Sequence, residues 1–232
     1  MGNQDQRLSY KQSKYNTKRK DLQMEDTNRV HNRVHIIGTI VKDFTWSCTT
    51  CGEGFYSTTI QTRRLSGTCD NIPLTVSERL VDVNANWAGC RVEIDGQFRS
   101  YNEHTDSGHT KLRLYIFALE FLALDELDGC EDDNRISLDG YIVKAPKCRE
   151  TPLGREIADT MLAVNRAYGK SDYIPIIFWG RNAHFVSCLD VDTCISLEGR
   201  IQSREYQKRI GKAEPETRTA YEVSVGKMEV LE

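Results

Sequence analysis

The sequence predicts an all-β protein built from two tandem five-stranded barrels. The first observation is an internal repeat, in which NRVHIIGTIVK (residues 32–42) and NRISLDGYIVK (residues 134–144) match at six residue types. The second is that most predicted elements are short segments in which apolar and polar residues alternate, the period of a half-buried strand. The third is Gly140 and Gly199, which fall inside predicted strands, where glycine permits the tight bend that closes a small barrel. The chain is therefore a duplicated domain.

The first 29 residues precede the repeat and carry seven Lys/Arg against four Asp/Glu. They are polar and show almost no apolar periodicity, so we expect disorder, or a helix formed only on binding. Two interpretations remain open for this basic arm. It either adds affinity for nucleic acid or serves as a solubilising extension.

Residues 30–124 form the predicted first barrel, and its opening strand shows the alternation clearly at Val34, Ile36 and Ile40. Residues 125–133, DELDGCEDD, read as an acidic linker to the second copy. Residues 30–133 together carry nine Lys/Arg against 16 Asp/Glu, a balance that repels phosphates. We therefore expect the first barrel to be a degenerate copy with respect to nucleic-acid binding.

Residues 134–232 form the predicted second barrel and carry 15 Lys/Arg against 14 Asp/Glu. We expect a short helix between the third and fourth strands of each copy, and in this copy residues 182–190 occupy that position. The five strands are predicted around residues 136–143, 157–164, 174–178, 195–202 and 220–228.

The stretch LAVNRAYGKSDYIPIIFWGR (residues 162–181) reads as two strands around a polar loop. In it three aromatic residues are interleaved with three cationic ones, which is the chemistry of a protein that stacks bases while following a phosphate backbone. The alternative is that the rings serve cross-strand packing, or the core in the case of the tryptophan. The residues are Tyr168, Tyr173, Trp179, Arg166, Lys170 and Arg181.

The sequence contains few motifs of catalysis, membrane insertion or metal binding. Phosphate-binding loops, zinc-protease motifs and nucleophile elbows are absent from the sequence, which predicts a protein that is not an enzyme and needs no cofactor. A leader peptide and a membrane-spanning apolar run are also absent, so we expect a cytoplasmic protein. A C-x-x-C pair allows a zinc site, with reduced thiols as the alternative. The candidate ligands are Cys48, Cys51, Cys69 and Cys90.

The order and spacing of several motifs resemble the bacterial single-stranded DNA-binding protein family, including its relative primosomal replication protein N. The motifs are NRISLDGYI, LAVNR, YIPIIFWGRNA, ISLEGRIQSREY and YEVSV, all in the second copy. The resemblance implies oligonucleotide-binding folds, and oligomers that wrap single-stranded DNA without catalysing a reaction. It also implies base-stacking roles for the aromatic positions, to which it adds one that follows the fourth strand, Tyr206.

Five cationic residues in and after the fourth strand extend the candidate interface, together with Arg166, Lys170 and Arg181 from the loop region. In the first copy the positions equivalent to the four aromatic residues are not aromatic, although the Arg, Gly, Asp, Ile and Pro around them are repeated. The fold therefore does not demand the rings, which favours a function for them. The added candidate cations are Arg200, Arg204, Lys208 and, beyond the strand, Arg209 with Lys212.

The sequence-based hypothesis is a non-catalytic, sequence-tolerant binder of single-stranded DNA, with RNA as an alternative ligand, in replication, recombination or repair, and with the second barrel as its principal module. The alternative is a protein-interaction adaptor, a replication or mobile-element factor whose barrels kept the fold but bind proteins. Two barrels in one polypeptide further suggest a homodimer, which would supply four barrels. A membrane partner is not expected.

Overall fold

The computed structural model describes residues 31–104, 108, 110–125, 129–151, 153–208 and 216–231. The N-terminal arm predicted over residues 1–29 lies outside these residues, as do Arg209 and Lys212. The described strands form one continuous sheet. They are β1 (Asn32–Ile40), β2 (Thr45–Thr50), β3 (Glu53–Arg63), β4 (Cys69–Ser77), β5 (Arg91–His104), β6 (Thr110–Ala123), β7 (Asp133–Ile142), β8 (Lys147–Glu150), β9 (Glu156–Arg166), β10 (Lys170–Trp179), β11 (Cys194–Lys208) and β12 (Glu216–Val230).

Each half of the sheet closes on itself as a five-stranded barrel. In barrel one, β1 pairs antiparallel with both β3 and β5, while β4 and β6 close the far side as a parallel pair. Barrel two repeats this plan with β7, β9, β10, β12 and β11. The predicted all-β fold is confirmed.

Each barrel also carries a sixth strand that the sequence did not reveal. The strands β2 and β8 each pair only with the strand that follows, so they extend the sheet beyond the barrel. All residues of both strands are exposed. Because neither strand buries a face, neither shows the alternation on which sequence-based detection depends.

The predicted helix is present in barrel two and absent from barrel one. In barrel two, helix α1 (Arg181–Val186) follows β10 and buries Ala183 against the core. At the equivalent place in barrel one, residues 78–90 are all described and form turns, so the prediction is wrong there. Asp43 holds these turns by accepting hydrogen bonds from the backbone N–H groups of Trp87 at 2.7 Å and Ala88 at 2.9 Å. These bonds lower the pKa of Asp43, and such side-chain acceptors compete with helix formation.

Mid-strand glycines allow the close strand crossings of both barrels. A Cβ atom on Gly140 would lie 2.5 Å from the carbonyl oxygen of Ala163, and one on Gly199 would lie 2.3 Å from that of Ser224. Gly199 also coincides with a register shift in the β11–β12 pairing. Neither position has room for a side chain without movement of the facing strand.

We expect Gly140→Ala to lower the free energy of unfolding by about 1–3 kcal/mol, because the added methyl group overpacks a backbone contact. Urea denaturation would measure the change. Gly226→Ala is the matched control, since the added Cβ would meet Glu198 at an ordinary 3.7 Å. Equal stability of the two variants would contradict the steric argument.

The two barrels are joined through their first strands, β1 and β7, which pair antiparallel. Val34 lies opposite Ile136, and these two residues are themselves equivalent in the repeat. An equivalent pair lies opposite itself only on a two-fold axis, so the barrels are related by pseudo-two-fold symmetry within one chain.

Each barrel also clamps the other through a buried aspartate. Asp70 is fully buried, and its Oδ1 accepts a hydrogen bond from the backbone N–H of Ser203 in barrel two at 2.7 Å. Arg64 holds the same carboxylate through Nε at 2.6 Å and Nη2 at 2.5 Å. The repeat places an equivalent contact on the other side of the axis.

In that equivalent contact, Asp172 accepts a hydrogen bond from the backbone N–H of Ser100 in barrel one at 2.7 Å. Arg166 donates to Asp172 from Nη2 at 2.7 Å. The Arg and Asp of the repeated loop thus join the two barrels to each other.

The acidic linker predicted over residues 125–133 ends one residue earlier in the structure, because Asp133 already belongs to β7. Asp132 accepts a hydrogen bond from the backbone N–H of Arg63 at 2.6 Å and pairs with Arg91. The linker is therefore tied to barrel one. In the described part of the chain we find no helix of the length and apolarity that crossing a membrane requires.

Candidate nucleic-acid interface

An open groove of about 1540 Å³ runs along the outer surface of barrel two. Its walls come from the β8–β9 hairpin and from strands β10, β11 and β12. Barrel one completes the groove with its β3–β4 loop, which contributes Arg64, Ser66 and Thr68. The clamp between Arg64, Asp70 and Ser203 holds this loop against β11. The groove is thus a composite of both barrels.

Trp179 is the aromatic residue of the groove. It ends β10 on the outward-facing side of the strand, and its side chain is half-buried beside Ile157 and Ile177. The indole Nε1 donates a hydrogen bond to Oγ of Ser224 at 2.9 Å, which fixes the orientation of the ring. Trp179 is therefore not part of the barrel core, the alternative that the sequence had left open.

Five arginines line the groove, and they are not equally available. Three of them face carboxylates: Arg64 pairs with Asp70, Arg149 with Asp159, and Arg204 lies 4.0 Å from Glu222. The other two, Arg155 and Arg200, are exposed and form no ion pair within the described part of the chain. These two residues can therefore meet a phosphate directly, and so can Arg204, which is 55% exposed and only distantly paired with Glu222.

Tyr206 extends the same surface along β11. Because alternate residues of a strand share a face, Arg200, Arg204 and Tyr206 point to the same side of β11. Tyr206 is 38% exposed, and the guanidinium carbon of Arg204 lies 6.0 Å from its ring centroid. Lys208 is the last residue of β11.

The other predicted aromatic residues lie away from the groove. Tyr168 is 99% exposed in a 3-10 turn (Ala167–Gly169) between β9 and β10, where its φ of 63° is left-handed. Tyr173 is 43% exposed near the start of β10, whereas Trp179 ends that strand. The structure therefore divides the four predicted rings between two places.

The remaining predicted cationic residues also lie in different parts of the molecule. Lys170 is exposed at the start of β10, next to the turn that carries Tyr168, and Arg181 is exposed at the start of α1. Arg166 donates hydrogen bonds to Asp172 and to the carbonyl oxygen of Ser100, and its buried Nε has no hydrogen-bond partner among the residues that the structure describes. We therefore leave Arg166 out of the direct phosphate contacts.

The candidate zinc ligands are not brought together. Cys48 and Cys51 lie in and just after β2, Cys69 begins β4, and Cys90 precedes β5. Among the residues that the structure describes, no three of these cysteines come close enough to share a metal ion. Three other residues do lie close enough to share a metal ion: His35 on β1, with Glu93 and Asp95 on β5. The sequence analysis missed this group.

The sequence analysis also missed a set of rings on barrel one. Tyr101 on β5 is 52% exposed, and its ring centroid lies 5.8 Å from that of Tyr115 on β6. Phe117 lies two residues further along β6, under the guanidinium of Arg99. The sequence did contain a signal for these rings, which is the alternation of Arg and aromatic residues in β5 and β6. The sequence analysis compared only the positions of barrel one that are equivalent to the aromatic positions of barrel two, and these rings lie elsewhere.

Comparison with known proteins agrees with this architecture. Residues 133–231 match the model of the Single-strand binding protein family. The chain is 35% identical over 86 residues to a single-stranded DNA-binding protein of Bacillus cereus, covering 34% of this chain and 51% of the relative. It is 34% identical over the same length to single-stranded DNA-binding protein A of Bacillus subtilis, covering 50% of that protein. The chain thus spans about half the length of the curated relatives it matches.

A solved structure extends the likeness to both barrels. The wild-type single-stranded DNA binding protein from Thermus aquaticus superposes with a TM-score of 0.69 and 18% identity, over 87% of this chain and 93% of that one. At that identity the likeness concerns the fold, and it confirms the expected tandem arrangement of oligonucleotide-binding folds. The second half of the chain, residues 133–231, is therefore similar to the single-strand binding protein family.

Proposed function

We propose that this protein binds single-stranded DNA, without catalysis and with little sequence preference, along the groove of barrel two. The observation that carries the proposal is the groove itself, where an oriented indole and two unpaired arginines share one open channel. The match of residues 133–231 to the model of the Single-strand binding protein family supports it.

In this arrangement, bases stack on Trp179 and Tyr206 while phosphates meet Arg155, Arg200 and Arg204. Stacking contributes about 1–3 kcal/mol per base and tolerates every base, because each has a π-face. The loop of barrel one that carries Ser66 and Thr68 forms the opposite edge of the channel. Barrel two therefore supplies the stacking surface, and the loop of barrel one limits the width of the groove.

The cellular role that fits such binding is the handling of exposed single strands in replication, recombination or repair. Relatives that carry the name single-stranded DNA-binding protein support this role. The predicted homodimer stays a prediction.

We expect affinity for oligo-dT to fall steeply with salt, because each neutralised phosphate releases counterions. Three phosphate contacts predict a slope of log K against log salt of about −2, since single strands give about −0.7 per contact. Fluorescence titrations at several salt concentrations would measure it, and Arg200→Ala should flatten the slope by about 0.7.

Arg181→Ala serves as a matched control, because Arg181 is an exposed arginine outside the groove lining. It should leave the slope close to that of the unaltered protein. Failure of the unaltered protein to bind oligo-dT at low salt would overturn the proposal and favour the protein-interaction adaptor.

A further inference from the structure

The internal symmetry provides a second surface of the same construction as the groove. In the groove, the β11–β12 face of barrel two is flanked by Ser66 and Thr68 in the loop of barrel one. The repeat makes Tyr168 and Lys170 the equivalents of these two residues. By the pseudo-two-fold relation they flank the β5–β6 face of barrel one.

Hydrogen bonds at this second place show that the loop and the face adjoin. The backbone N–H of Tyr173 donates to Oγ of Ser100 at 2.8 Å, and Asp172 binds the backbone N–H of Ser100 at 2.7 Å. Ser100 lies between Arg99 and Tyr101 on β5. The start of β10 and its preceding loop therefore lie beside the end of β5.

The β5–β6 face carries rings and cations in alternation. The strand register places Arg99 opposite Tyr115, and Tyr101 opposite Arg113. The guanidinium carbon of Arg99 lies 3.7 Å from the ring centroid of Phe117, and Tyr101 meets Tyr115 edge to face at 69°. Tyr101 keeps half of its surface exposed, so a base can reach it.

Arg99 has no carboxylate partner on this face. It forms no ion pair within the described part of the chain, and its guanidinium donates to the amide oxygen of Gln97 at 2.8 and 3.1 Å. Burial lowers the pKa of Arg99, and the charge of Arg166 lowers it further, while Tyr115 and Asp172 act in the opposite direction. A phosphate beside Arg99 would compensate a cation that the protein itself leaves unmatched.

We propose that barrel one binds single-stranded nucleic acid on this surface, which we call the barrel-one face. It comprises Arg99, Tyr101, Tyr115 and Phe117 from barrel one with Tyr168 and Lys170 from barrel two. The proposal rests on the proposed function, since it extends the same ligand to a second place. Each barrel thus contributes a loop to the binding surface of the other barrel, and Tyr168 belongs to the binding surface of barrel one.

The test is the number of short oligonucleotides bound per chain. With oligo-dT of about 10 nucleotides, within the range that one such fold covers, we expect two equivalents per chain of the intact protein. Tyr101→Ala/Tyr168→Ala should reduce this to one, because it removes both exposed rings of the barrel-one face. Isothermal titration calorimetry would give the stoichiometry.

Three controls separate the outcomes. Tyr101→Phe/Tyr168→Phe keeps the rings and should keep two sites, whereas Phe185→Ala removes an exposed ring of α1 that lies outside both surfaces and should change nothing. Circular dichroism would establish that all variants fold. An unchanged stoichiometry in the double alanine variant would overturn this inference while leaving the groove intact, and absence of any binding by the intact protein would overturn the proposed function instead.

Discussion

Asp70→Ala should lower the free energy of unfolding by about 3–5 kcal/mol, because it leaves the Arg64 guanidinium without its buried partner. Asp70 is fully buried, and Arg64 is only 20% exposed. The same carboxylate also accepts a hydrogen bond from the backbone N–H of Ser203 across the barrel junction. The substitution therefore removes an ion pair and the inter-barrel contact together. Urea denaturation followed by circular dichroism would measure the loss.

Asp159→Ala is the matched control for this effect. It also removes one carboxylate from an Asp–Arg pair, but Asp159 is 37% exposed and its partner Arg149 is 48% exposed. Exposed pairs typically contribute 1 kcal/mol or less, so we expect a change of about that size at most. Asp172→Ala should behave like Asp70→Ala, because it breaks the equivalent clamp. A loss below about 1 kcal/mol for both clamp variants would show that the junction does not depend on them.

Trp179→Ala/Tyr206→Ala should weaken binding of short oligo-dT to the groove by about 2–6 kcal/mol, since each ring stacks one base. The measurement is best made in a Tyr101→Ala/Tyr168→Ala background, where the groove is the remaining proposed face. Fluorescence anisotropy of a labelled oligonucleotide would follow the affinity without relying on the protein's own tryptophans.

Trp179→Phe/Tyr206→Phe distinguishes stacking from a structural role of the two residues. The phenyl ring keeps a stacking surface but loses the hydrogen bond from the Trp179 indole to Ser224. We expect most of the affinity to survive in this variant. If the double alanine variant binds as tightly as its background, the assignment of these two rings is wrong.

The stability prediction and the test of the barrel-one face concern the same repeated loop, which contains residues of two kinds. Arg64 and Asp70 recur as Arg166 and Asp172, whereas Ser66 is replaced by Tyr168. The recurring residues hold the barrels together, and the residue that changes is exposed. The repeat therefore separates the structural residues from the candidate binding residue within one loop.

The sequence alone was sufficient for the strand framework, because one face of a barrel strand is buried and apolar and polar residues therefore alternate along much of its length. It was also sufficient for the duplication and for the exposed Tyr168 and Tyr173, whereas the exposed Tyr101 of barrel one escaped it. The additional strands β2 and β8 escaped it because they bury no face, and the helix expected in barrel one failed because Asp43 holds that segment in turns.

Which residues meet across the barrel junction was decided only by the tertiary structure. The sequence predicted Arg166 as a phosphate contact, yet pairing of β1 with β7 brings its loop against Ser100 and commits its charge to Asp172. The same docking places Ser66 at the groove of the other barrel. Sequence alternation determines which side of a strand a residue faces, but the neighbour across a symmetry axis depends on how the two halves assemble.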